Sequence, residues 1–482
     1  MKTHDFDLVV LGSGPAGQRA AIQAAKIGKK VALVERMPSL GGVCILTGTI
    51  PSKTFREAVL AATGSEVFEF TPNASTPPSM SEVLSRVQDV MMRETEVIKD
   101  QLLRNNVEII QGSGRFSGTH EISVLGRTSN RTLTADNILI SVGTRPADPP
   151  DLPVDGTVIL TSDEILALDR MPSSMTIVGG GVIGIEYASM FARLGVKVHV
   201  VDRHHRLLEF VDHEIVDELI SQMRASGIEV HLDDGIEETR VIGGDTPHAV
   251  MKLNSGLEIE TATVLFSIGR IAATASLNLE AIGLEAGRRG LLEVDHDYRT
   301  AVSHVWAAGD VIGFPALAAT SSEQGRLAAC RMFGIETPDM GQSYPYGIYS
   351  IPEISMVGAT EEKLKEAGTP FEVGLARYSE IARGQILGDD TGLFKMLFHQ
   401  ETGRLLGVHC IGTGATELVH VGQAVLKLGG GIDYFLETVF NYPTLAECYK
   451  VAAYNAANKM GYRHVTIESA GSLNDPDSDP AS

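Results

Sequence analysis

From Phe6 the chain reads as an apolar run, FDLVVLG, then a glycine-rich turn, an amphipathic stretch and a second apolar run ending in an acid at Glu35. That succession predicts a βαβ unit over residues 6–36. Gly12, Gly14 and Gly17 stand at the G-x-G-x-x-G spacing, with Ser13, Pro15 and Ala16 between them. Each glycine has a task at such a turn. Gly12 makes the tight bend, Gly14 lets a pyrophosphate approach the backbone at the helix N-terminus, and Gly17 permits close helix–strand packing. Glu35, followed by Arg36, is set to accept from a ribose hydroxyl.

Residues 175–203 repeat the pattern as MTIVGGGVIGIEYASMFARLGVKVHVVDR. Gly179, Gly181 and Gly184 fall in register, Val182 and Ile183 open the helix, and Asp202 takes the acidic position at the same spacing from the glycines. One such turn is weak evidence, because glycine-rich strand–helix turns also arise for packing alone. Two complete copies, each closed by a carboxylate, predict two dinucleotide sites.

Two further stretches punctuate the pattern. ILISVGTRP (138–146) is an apolar strand broken at Gly143-Thr144, where the chain can cross between domains. HVWAAGDVIGFPALAATSSEQGRLAA is a strand, then Gly309-Asp310, then a small-residue turn through Leu317 and Ala318 into a helix. Asp310 is placed to bond a ribityl or ribose hydroxyl beside a helix N-terminus, although an acid there, taken alone, is more often a turn or N-cap residue. The expected fold class is α/β: two Rossmann-like dinucleotide-binding domains and a C-terminal α+β domain. The expected boundaries are 1–150 with 271–341, then 151–270, then 342–461, with a flexible tail over 462–482. Thr71 to Met80 reads as a surface loop.

Composition narrows the partners. A formal net charge of -21 disfavours a general nucleic-acid or anionic-membrane surface, so any phosphate site must be local. No stretch reaches the roughly 18 apolar residues of a spanning helix, which leads to a cytoplasmic expectation. Cys44, Cys330, Cys410 and Cys448 form neither a disulfide framework nor a metal-ligand pattern, so no metal is expected.

GGVCILTGTIPSK (41–53) resembles the redox segment of the pyridine nucleotide-disulfide oxidoreductases, where two cysteines four residues apart lie beside a flavin. Both glycine turns, Gly143-Thr144, Gly309-Asp310 and NYPTLAE near the end extend the resemblance over nearly the whole chain. It implies FAD on the first unit, with Gly42, Val43, Cys44, Lys53 and Gly114 among its contacts. It implies NAD or NADP(H) as substrates on the second, with Gly269 nearby, and a homodimer or higher assembly through the last domain. It also implies that Lys53 and Glu186 meet near the flavin as the catalytic pair.

Two departures redirect the chemistry. Cys44 matches the first redox cysteine but Thr49 stands at the second, so no disulfide can form there. The family's terminal histidine is Tyr442, followed by Pro443, Thr444 and a retained Glu447, and a phenol is a poor acid–base group near neutrality. Within the family this combination resembles members that pass hydride from NADPH to NAD+ through the flavin by ping-pong exchange, of the Si-specific type. In VVDRHHR, Asp202 suits the 2′-hydroxyl of NAD, while Arg203 or Arg206 suits the 2′-phosphate of NADP. An NAD(P)H dehydrogenase with a quinone or dye acceptor shares every motif, and a non-catalytic flavin–nucleotide sensor shares the binding half.

Overall fold

The computed structural model describes residues 4–64, 79–127, 129–150, 152–341 and 343–461. The chain opens with β1 (Phe6–Leu11), α1 (Pro15–Lys26) and β2 (Val31–Glu35). There follow α2 (Gly42–Leu46), α3 (Thr49–Thr63), α4 (Met80–Arg104), β3 (Glu108–Gln111), β4 (Ser113–Gly118), β5 (Glu121–Leu125) and β6 (Asn130–Ile140). The expected loop over Thr71 to Met80 lies outside the described residues as far as Pro78, as does the expected tail over 462–482. Its last two residues depart from that reading. Ser79 caps α4 through a reciprocal pair of hydrogen bonds with Glu82, and Met80 is buried as the first helical residue.

β3, β2, β1 and β6 form a parallel sheet. β6 changes partners along its length: Asn130 to Thr134 pair antiparallel with β5, and Ala135 to Ile140 pair parallel with β1. One strand thus joins the β4–β5 meander to the nucleotide-type sheet.

A second group begins with β7 (Thr144–Pro146), β8 (Ile159–Thr161), β9 (Ser174–Val178), α5 (Val182–Arg193), β10 (Lys197–Val201), α6 (His213–Ala225) and β11 (Glu229–His231). It continues through β12 (Ile236–Ile242), β13 (His248–Leu253), β14 (Glu258–Thr261), β15 (Thr263–Phe266) and β16 (Arg270–Ala272). Its sheet runs β11-β10-β9-β15-β8, all parallel, with β12-β13-β14 as an antiparallel layer and β7–β16 as a two-stranded connecting ribbon. The chain then returns to the first sheet, where β17 (Val305–Ala307) pairs with β6 and leads into α7 (Ala318–Met332).

The last part holds β18 (Tyr346–Ile348), β19 (Ile354–Gly358), α8 (Glu361–Glu366), β20 (Phe371–Arg377), α9 (Ala382–Leu387), β21 (Leu393–His399), β22 (Leu405–Ile411), α10 (Ala415–Lys427), α11 (Ile432–Glu437) and α12 (Glu447–Met460). Its antiparallel sheet, β18-β19-β22-β21-β20, packs against α10 and α12.

Two packing features position the site. α1 and α7 approach so closely that a Cβ on Gly325 would lie 2.0 Å from the Ala16 carbonyl oxygen. Phe55, Tyr187 and Phe191, all buried, meet at centroid distances of 5.7 to 6.3 Å and fasten α3 to α5. Emptying one such ring position costs about 3–5 kcal/mol, so the side chains just ahead of Phe55 and Tyr187 are held firmly.

Candidate active site

The two glycine turns are built alike, atom for atom. In the first, the Gly12 amide donates to Val34 O and the Ser141 hydroxyl donates to the carbonyls of Leu11 and Gly12. In the second, Gly179 donates to Val201 O and Ser267 donates to Val178 and Gly179. A Cβ on Gly17 would lie 2.0 Å from Gly12 O, and one on Gly184 would lie 2.1 Å from Gly179 O. Both third glycines therefore serve packing.

The acids also correspond. Glu35, buried, accepts at Oε2 from the Ser13 amide (2.9 Å) and hydroxyl (2.6 Å), and at Oε1 from the Met37 amide. Asp202 accepts from the Gly180 amide and, at 2.9 Å, from the His204 amide. Each carboxylate locks its own turn, a duty that the ribose role expected from sequence does not include.

One cavity runs from the N-terminus of α1, past Glu35 and α2, to the Gly309-Asp310 bend and the start of α7. Gly12, Ser13, Gly14, Pro15, Ala16, Arg36, Gly42, Val43, Cys44, Gly114, Gly143, Thr144 and Ala318 line it with them. A Cβ on Gly14 would meet nothing within 4 Å, so the cradle at the helix N-terminus is open to an anionic group of the dinucleotide expected there. A cavity lined by a helix N-terminus, a buried acid and a thiol fits a dinucleotide cofactor with a redox ring.

At the ring end Cys44, half-buried, accepts its neighbour Thr49 as a side-chain hydrogen-bond partner. Burial raises its thiol above the ordinary range, against the pull of Thr49 and Lys53. Lys53 lies beyond the cavity wall. Its ammonium donates to both oxygens of Glu186, at 2.8 and 2.9 Å, and sits 4.9 Å from the Tyr349 ring centroid. Glu186, 2% exposed, also accepts from the Tyr349 amide at 2.9 Å. α3, α5 and the loop after β18 thus converge on one ion pair.

Sequence reasoning missed three groups here. Ser141 and Ser267 hold the turns, and their signal was an internal repeat, ILISVGTRP against TVLFSIGRIA. Asp163 reaches the cavity from the second nucleotide domain; burial raises its carboxyl, against Arg270 and a hydrogen bond from Thr47. Arg270 is held by the Thr144 hydroxyl and carbonyl.

Other predicted residues lie elsewhere. Leu317 sits at the N-cap position of α7, and Gly269 lies against the Arg289 guanidinium. Gly181 begins α5 with open space around it, followed by Val182 and Ile183, half-buried against the core. Arg206, expected to meet a 2′-phosphate, is paired with Asp217, while Arg203 is exposed. Tyr442 is 70% exposed, and Glu447 at the start of α12 keeps Oε2 buried without a partner among the described residues. Neither touches the cavity of its own chain.

A dinucleotide turn that opens on a thiol-bearing cavity, a second copy of that turn, and a buried ion pair joining α3 to α5 define a two-nucleotide oxidoreductase. Residues 6–325 match the pyridine nucleotide-disulphide oxidoreductase model and residues 344–453 match the dimerisation domain of the same enzymes, and the chain belongs to that family. It is similar to the soluble pyridine nucleotide transhydrogenase of Mycobacterium bovis (strain BCG / Pasteur 1173P2), 49% identical over 95% of this chain and 98% of that one. A protein of the same name from Marinobacter nauticus is 41% identical over 95% of this chain and 100% of its own.

Among solved structures, the Cu(II) complex of the HOCl-induced flavoprotein disulfide reductase RclA from Escherichia coli superposes with a TM-score of 0.85 at 26% identity, covering 93% of this chain and 99% of that one. LpdA from Mycobacterium tuberculosis gives a TM-score of 0.84 at 25% identity over 93% and 98%. No helix among the described residues is long and apolar enough to cross a membrane.

Proposed function

We propose that the protein is an FAD-dependent transhydrogenase of the Si-specific type, moving hydride from NADPH to NAD+ and releasing NADP+ and NADH. The observation that carries this reading is the Thr49 hydroxyl against Cys44 where a second sulfur would sit, beside an intact Lys53–Glu186 pair. The disulfide half of the chemistry has lost its partner, and the nucleotide half is complete. Similarity to relatives named soluble pyridine nucleotide transhydrogenase supports the same reading.

The Gly12 to Gly17 turn, Glu35, Gly114, Gly143-Thr144 and Gly309-Asp310 would hold FAD, which when bound supplies a reversible two-electron hydride acceptor. Lys53 contributes a fixed positive charge at the junction of the two nucleotide domains, and Glu186 aims it. Cys44, kept as a neutral thiol by burial, holds its proton and hands no electrons on. The Gly179 to Gly184 turn takes NADPH and then NAD+ in succession. Asp202 suits the NAD ribose, while Arg203 and Arg206 suit the NADP phosphate once Arg206 leaves Asp217.

In the same reading, 1–150 with 271–341 bind FAD, 151–270 bind NAD(P) and 342–461 pair two copies into a homodimer in the cytoplasm. The return of β17 to β6 supports the discontinuous first domain.

The test is anaerobic mixing. NADPH should bleach the flavin, NAD+ should restore its colour, and (4S)-deuterated NADPH should pass its label on. Glutathione and lipoamide disulfides should give no turnover. A flavin that bleaches with NADPH but recovers only with a quinone would overturn the assignment in favour of a dehydrogenase.

A further inference from the structure

We propose that His199, Glu229 and His231 form a binding site for a divalent transition ion of the zinc class, seated behind the acid of the second glycine turn. β10 and β11 are parallel neighbours whose register sets His199 opposite Glu229 and Val201 opposite His231. Glu229 and His231 share a face by the two-residue period of a strand, and His199 joins them by pairing.

His199 Nδ1 lies 3.4 Å from His231 Nε2 and 3.5 Å from Glu229 Oε2, and the last two atoms are 4.0 Å apart. A point equidistant from all three lies about 2.1 Å from each, the bond length zinc makes with imidazole nitrogen and carboxylate oxygen. Two imidazoles and a carboxylate suit zinc and its neighbours, whereas magnesium and calcium take oxygen shells. The fourth position falls to water, and Glu229, half-exposed, opens a path from solvent.

The surrounding charge agrees with this assignment. Lys197 meets the other Glu229 oxygen, Oε1, at 3.5 Å and is 63% exposed, which leaves Oε2 to the imidazoles and lets the ammonium turn to solvent.

The site is wired to the turn through backbone. The Asp202 amide donates to His231 O at 2.9 Å, and Asp202 in turn holds the Gly180 amide. An ion that fixes His231 fixes the strand end presenting Asp202, so metal and nucleotide affinities are linked reciprocally. That coupling rests on the nucleotide reading above, whereas the ion site stands without it.

The experiment uses the full FAD-loaded chain, chelator-stripped and carrying Cys44→Ser so that thiol ligation there is out of play. Zn2+ is titrated by calorimetry and Co2+ by its visible ligand-field spectrum. One saturable equivalent per chain is expected, with a four-coordinate Co2+ spectrum free of thiolate charge transfer. His231→Ala and Glu229→Gln should each weaken binding at least about tenfold at unchanged flavin content. If His231→Ala fails to fold, Glu229→Gln, an exposed replacement, decides alone. Absence of saturable uptake, or equal uptake by parent and variants, overturns the site.

Discussion

Gly14 and Gly17 lie three residues apart in one turn and have opposite surroundings, open space at the first and the Gly12 carbonyl at the second. Gly14 has φ -64°, which any residue adopts, so Gly14→Ala should leave the melting temperature of the flavin-free protein nearly unchanged while the purified protein carries less flavin. Gly17→Ala should lower stability by about 2–3 kcal/mol in denaturant unfolding, because backbone has to shift. Full flavin content in Gly14→Ala would mean that the turn is not the pyrophosphate cradle. The glycine tasks are local and therefore legible in the sequence. The Lys53–Glu186 pair is not: 133 residues separate its members, no spacing relates them, and only the family resemblance pointed there. Thr49 was readable as a missing sulfur, yet its hydrogen bond to Cys44 needed the folded chain.

Strand pairing brings together side chains that periodicity treats separately. His4, His120 and His304 stack at centroid distances of 4.6 and 3.9 Å where the start of the chain, the β4–β5 turn and the approach to β17 meet. Burial holds the His304 imidazole below its ordinary range; the Thr119 carbonyl opposes this, and His120 and His4 add to it. Burial acts in the same direction on His199 and His409. A histidine with a depressed folded pKa takes up its proton more readily once unfolded. Its contribution is whole above the unfolded value near 6.5 and is lost as pH falls below it. The melting temperature should therefore fall between pH 7.5 and about 5.5, and His304→Gln should shrink that fall. An identical pH profile in the variant would remove the stack from the account. The same cross-strand logic explains why cysteine spacing alone says nothing of the histidines that β10 and β11 bring together.

Over the whole molecule, the three-part organisation was legible because each part is a run of local patterns, whereas the contacts that hold the parts together are distant in sequence. Lys395 on β21, 1% exposed, donates to Asp212 at 2.9 Å and to Glu361 at 2.6 Å and pairs with Glu214 at 3.0 Å. Asp212 is fully buried, caps α6 and accepts the Glu361 amide, so one charge cluster joins the second nucleotide sheet to the C-terminal domain. Burial would lower the Lys395 ammonium, but Asp212 and the hydrogen bonds to Glu361, Asp212 and Glu214 outweigh it and hold the group firmly charged. Lys395→Met strands a buried carboxylate and should cost about 3–5 kcal/mol in equilibrium unfolding. Adding Asp212→Asn keeps one oxygen for the cap and removes the stranded charge but leaves the Glu361 amide without its acceptor, so the double variant should recover part of that loss. If the double variant is as unstable as Lys395→Met, the penalty lies in packing around the lysine stem, and the cluster does not act as an electrostatic latch between the domains.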